Sequence, residues 1–232
     1  MFVVGVDGCN AGWVAAAWNI TQHSVDLSVH ATFSGLLSVF EHVDAIAIDI
    51  PIGLTECQRA CDLEARAVLK CRKSSVFPAP DPRVACMTDY HAASALLKEL
   101  CGKGISAQAF GIYPKVCEVN KLMTPQLQDR IIEVHPEICF WAMGNGVEVC
   151  EPKRTAVGSR IRLERLMASI PLPDVQWNKV VKGIKCAQAD DVLDAMAAAW
   201  TAERWAANPK KVSRFPLAPE FDDKGNRAEI VY

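Results

Sequence analysis

Two apolar runs rich in β-branched residues each close on an aspartate: VVGVD at 3–7 and AIAID at 45–49. Val3, Val4 and Val6 suit a buried central strand, as do Ile46 and Ile48. A carboxylate at the end of such a strand either forms a turn or serves a site. The turn reading fits Asp7, because Gly8, Asn10 and Gly12 follow it. It fits Asp49 less well, with Ile46, Ile48, Ile50 and Ile52 around it.

The spacing of the remaining runs sets the topology. Residues 2–7, 13–20 and 24–31 read as three strands joined by short polar turns, the pattern of an antiparallel meander. Phe33, Leu36, Leu37 and Phe40 recur at helical spacing over 33–42, and a fourth strand follows at 45–50. A strand reached through a crossover helix lies parallel to its neighbour. Helices are expected at 56–72, 88–101 and within 106–123, with the proline-rich 74–83 as loop and a short fifth strand near 130–134. Residues 155–169 predict a basic helix broken by PLP at 171–173. The alanine-rich CAQADDVLDAMAAAWTAERWAAN opens with acids, ends before Pro209 and predicts the last helix. The tail 210–232 reads as loop with a small strand at 229–232. The expected fold class is α/β, a single domain over 1–232 with a mixed five-stranded sheet. Helices flank the sheet, and a helical insertion at 56–128 separates the fourth and fifth strands.

In that order the ends of the first and fourth strands lie side by side, where open α/β sheets place ligands. Asp191 and Asp194 stand three apart on one face of the last helix. Asp190 suits an N-cap, whereas Asp194 lies deeper in the helix and has no capping role. Acids crowded in a dry cleft need protons or cations, and oxygen ligands select Mg²⁺ or Mn²⁺. Two such ions about 4 Å apart activate water and stabilise the leaving oxygen in phosphodiester cleavage. Asp7, Asp49, Asp191 and Asp194 are the candidate metal ligands and catalytic acids. Glu133, an acid inside the apolar strand IIEVHPE, joins them as ligand, general base or satisfied buried group. For its neighbour His135 the satisfied buried group is the preferred reading.

The formal charge of −2, from 25 basic and 27 acidic side chains, provides no global field toward a polyanion. Phosphate contacts must then come from local groups. Candidates are Lys153, Arg154, Arg160, Arg162 and Arg165 in one cluster and Arg59, Arg66, Arg72 and Lys73 in another, against a solvated helix face as the alternative. Core packing is the expectation for Trp13, Trp141 and Trp177. Every apolar run is too short to span a membrane, and no signal peptide precedes the first strand. Ten scattered cysteines are therefore expected as reduced thiols in a cytoplasmic protein, mostly buried, with a zinc site disfavoured by their spacing.

The blocks VGVDGCNAGW, AIDIPIGL, EVHPE, KRTAVGSRIRLERL and DDVLDAMAAAWTA, in this order, resemble a family of predicted RNase H-like nucleases, domain of unknown function 429. The last block is also similar to the C-terminal helix of Holliday-junction resolvases. The resemblance spans residues 3 to about 203. It implies an RNase H-like fold and metal-binding roles for Asp7, Asp49, Asp191 and Asp194. The expected activity is metal-dependent hydrolysis of nucleic acid with Mg²⁺ or Mn²⁺, and a homodimer stays open. The glycine-rich GVDGCNAG also looks like the first phosphate loop of the sugar-kinase and actin superfamily, which makes ATP-dependent phosphoryl transfer the runner-up. A non-catalytic nucleic-acid-binding protein of the same fold is the third reading.

Overall fold

The computed structural model describes residues 1–232. Strands β1 (Phe2–Cys9), β2 (Gly12–Asn19) and β3 (Ser24–His30) form the expected antiparallel meander. Helix α1 (Phe33–Val39) is capped by Thr32, whose hydroxyl accepts from the Gly35 amide, and leads to β4 (Ala45–Ile48). Strand β4 runs parallel to β1, and β5 (Ile131–Glu133) runs parallel to β4. The sheet order is β3-β2-β1-β4-β5, a mixed α/β sheet consistent with an RNase H-like fold.

Between β4 and β5 stand α2 (Ala60–Val68), α3 (Tyr90–Cys101) and α4 (Ala107–Leu122), the helical insertion. Helices α5 (Pro136–Met143), α6 (Ala156–Ser169), α7 (Asp174–Lys182) and α8 (Ala189–Ala207) follow. Neither α5 nor α7 is anticipated from the apolar periodicity. Both start on a proline signal: Pro136 opens α5 and Pro173 caps α7. The tail differs more. Instead of loop it forms a hairpin of β6 (Arg214–Phe221) and β7 (Arg227–Val231), packed against α2 and β5.

The sheet has two covered faces, and strand alternation assigns residues to them. Val4, Val6, Ile46 and Ile48 point into one apolar cluster with α1 and α4. Val3, Ala45 and Ala47 point into the other, against α5 to α8. On that second face α8 approaches β1 at backbone distance. A Cβ added to Gly5 would sit 1.9 Å from the Ala195 carbonyl oxygen and 2.2 Å from the Ala199 nitrogen. The glycine and the alanines of DAMAAAW together permit this contact, because no side chain intervenes.

The cysteines correct one expectation. Cys57–Cys101, Cys71–Cys150 and Cys86–Cys117 are disulfides with Cα separations of 5.4, 5.3 and 5.1 Å. Their partners lie 44, 79 and 31 residues apart, so local spacing holds no trace of the pairing. Cys9, Cys61 and Cys139 are free and buried, as small hydrophobes. Disulfides belong to oxidising surroundings, so the cysteines no longer argue for a reducing compartment. No helix is long and apolar enough to cross a membrane.

Candidate metal centre

Alternation along the two parallel strands decides where the acids point. Asp7 follows Val3 and Gly5 on the α8 face, and Asp49 follows Ala45 and Ala47 on the same face. The ladder continues through the Asp49 amide, which donates to the Val6 carbonyl at 3.0 Å. The two aspartates therefore project from adjacent strands, about 5 Å apart along the sheet. Asp194 precedes Ala195, the residue seated on Gly5, so the close contact of α8 with β1 carries its carboxylate to the strand ends. All three line one cleft of about 430 Å³, with Lys153, His135 and Glu137 among its other walls.

The charges of this cleft divide into paired and unpaired groups. Glu133 accepts from both terminal nitrogens of Arg59, each at 2.7 Å, and from the Ile52 amide at 2.6 Å. Arg59 also holds Asp62 and the Ile52 carbonyl. Glu137 accepts from Arg162 at 2.7 and 2.8 Å, with Arg72 at 3.6 Å. Asp194 takes the Lys153 ammonium at 2.5 Å. Asp7 is left with the amide of its own neighbour Gly8, on Oδ1, and no partner for Oδ2. Asp49 accepts no hydrogen bond from the chain. Two acids on neighbouring strands thus lack any direct ion pair.

Their titration follows from that isolation. Burial first, then Asp49 and Asp194, push Asp7 well above the usual carboxylate range. Burial also raises Asp49, against the opposing pull of His135 and Lys153. Burial pushes Asp194 up to about 6, although Lys153 pulls it the other way. A nearby cation would favour the ionised form of each.

The structure reassigns several residues. Asp191 does not line the cleft. Its carboxylate turns back to accept from the Gln188 amide at 2.9 Å and closes the capping box of α8. Glu133 pairs across the sheet with Ile48 and so belongs to the insertion face, where Arg59 occupies it. Arg59 is 2% exposed with all its donors engaged, which corrects its reading as a phosphate contact. Arg66 donates to the Val76 carbonyl away from the cleft. Arg160 is exposed on the outer side of α6, 3.8 Å from Glu164. Arg154, also exposed, reaches Asp190 at 3.3 Å on the rim. Lys153 faces the acids themselves. Trp13 and Trp177 are core residues, and Trp141 packs on Phe215 and Tyr232.

His135 is less satisfied than expected. Its Nε2 lies 3.3 Å from the Ser75 carbonyl oxygen, which fixes the proton there, and its buried Nδ1 has no partner. Glu137 escapes the sequence reading, and Arg72, expected there as a phosphate contact, is one of its partners. The HPE triplet, a proline at the first helical position followed by an acid, is the signal that would have found Glu137.

The donor types suit a hard divalent cation, although no three of their ligand atoms lie within one coordination sphere in this conformation. The set offers carboxylate oxygens from β1, the end of β4 and α8, two of the carboxylates without an ion pair, and a neighbouring imidazole nitrogen without a hydrogen bond. The chain matches the model of the family described as Protein of unknown function (DUF429) over residues 5–220, and it belongs to that family. No curated protein and no solved structure matches it.

Proposed function

We propose that the protein is a metal-dependent nuclease, hydrolysing phosphodiester bonds of nucleic acid in the cleft above β1 and β4. One observation carries this reading: Asp7, buried, and Asp49, half-buried, stand side by side without a basic partner where the fold leaves an opening. Mg²⁺ or Mn²⁺ would be held by Asp7 and Asp49, with Asp194 at the margin. When bound, such an ion supplies Lewis-acid stabilisation of the charge that develops on the phosphoryl group.

The chain's own groups supply the rest. His135, which donates its Nε2 proton toward the Ser75 carbonyl and lines the cleft, is the general base of this reading. The water oxygen forms the new bond to phosphorus, the ester oxygen leaves, and a solvent proton neutralises it. Exposed Arg154 reaches Asp190 at the rim of the cleft, where a phosphate backbone would run. The Arg59–Glu133–Asp62 group keeps the opposite wall rigid.

Purified protein with Mg²⁺ or Mn²⁺ is expected to cut single-stranded or structured nucleic acid, and EDTA to stop it. Asp7→Asn is expected to remove the activity while the circular dichroism spectrum stays unchanged. Cleavage that survives Asp7→Asn, or survives EDTA, contradicts the assignment.

A further inference from the structure

Lys153 occupies an unusual position for a lysine in a loop. Its ammonium lies 2.5 Å from Asp194 and 3.4 Å from Asp190, and it lines the cleft that Asp7 and Asp49 share.

The loop is also held in place from several sides. Arg162, fully buried, donates to the carbonyls of Glu151 and Gly158 at 2.9 Å each. Gly158 lets the chain at Pro152 come close, since a Cβ there would lie 2.2 Å from the Pro152 carbonyl oxygen. The Cys71–Cys150 disulfide anchors the strand of chain three residues upstream. A lysine on a loop this constrained is part of the site.

Charge accounting then limits what else the site can hold. Glu133, Asp62 and Glu137 are matched by Arg59, Arg162 and Arg72. Asp7, Asp49 and Asp194 carry three negative charges when ionised, of which Lys153 neutralises one. Among the acids of this set that line the cleft, one divalent ion balances the remaining two, while Asp190 outside it is matched by Arg154. Asp191, the next acid on α8, lies outside the cleft with one oxygen held by the helix cap.

We propose that Lys153 is the second cation of this cluster, so that the site takes one divalent ion, between Asp7 and Asp49. The inference rests on the metal-dependent reading above and specifies its stoichiometry. In a phosphodiester reaction the ammonium would face the charge that a second ion otherwise meets. Lys153 is in this sense a built-in counter-ion whose removal opens a site.

The test is a Mn²⁺ titration of the intact protein, followed by calorimetry and by the electron paramagnetic resonance signal of free Mn²⁺. The expected result is one ion per chain for the wild type and two for Lys153→Met, with Asp7→Asn abolishing the first site. Lys153→Arg keeps the charge and is expected to stay at one ion; it serves as the reference if Lys153→Met is poorly folded. Two ions on the wild type, or one ion on a folded Lys153→Met, overturns the inference while leaving a metal site. No saturable binding to the wild type overturns the metal reading itself.

Discussion

The two ends of the cleft contain the same residue type in opposite states. At the β5 end, Glu133 and Asp62 share Arg59 in a closed set of short hydrogen bonds. At the β1–β4 end, Asp7 is buried and Asp49 half-buried, and neither has a basic partner. Burial of an acid therefore does not mark a site by itself. The informative property is an acid on the cleft wall without a basic partner, because its charge is left for an external cation or a proton to relieve.

Breaking the paired end has the largest expected effect. Arg59→Met leaves Glu133 and Asp62 buried against each other, and the expected loss is about 3–5 kcal/mol, read by urea denaturation. Gly5→Ala comes next: the added methyl meets the α8 backbone, with an expected cost of about 1–3 kcal/mol and a loss of Mn²⁺ affinity as Asp194 moves away. The unpaired end behaves in the opposite way. Asp7→Asn removes a repelled charge, so the metal-free protein is expected to become more stable at pH 7, by on the order of 1 kcal/mol.

The pH dependence sharpens the same contrast. An acid whose pKa is raised on folding binds more protons in the folded state, so stability falls as pH rises between the unfolded and folded values. With Asp194 at about 6 and Asp7 and Asp49 also raised, the metal-free protein is expected to lose stability from about pH 4 to beyond pH 6. Saturating Mn²⁺, which binds the ionised form, is expected to flatten that fall in a thermal melt series. The smallest effect belongs to the surface. Arg154→Ala is expected to change stability by under about 0.5 kcal/mol and to reduce the salt dependence of nucleic-acid binding by filter assay.

The main acids were legible because each breaks a local rule. Asp7 and Asp49 interrupt β-branched runs, and Asp194 sits inside an alanine-rich helix away from any cap. Glu133 breaks the same rule for another reason: its partner Arg59 lies 74 residues away in the chain, and strand parity turns it to the other face. Asp191 shares a helix face with Asp194 by spacing, yet one rotamer choice commits it to the capping box. The meander, the parallel β4 and β5, the insertion and α8 follow from periodicity. Helix α5, the β6–β7 hairpin and the three disulfides do not, since they depend on contacts distant in sequence.

The most direct measurement is a crystal structure grown with Mn²⁺ and recorded at the manganese absorption edge. The account predicts an anomalous peak bridged by the carboxylates of Asp7 and Asp49, with Lys153 still on Asp194. A cleft without a peak at saturating Mn²⁺, or a peak only at some other surface, would contradict it.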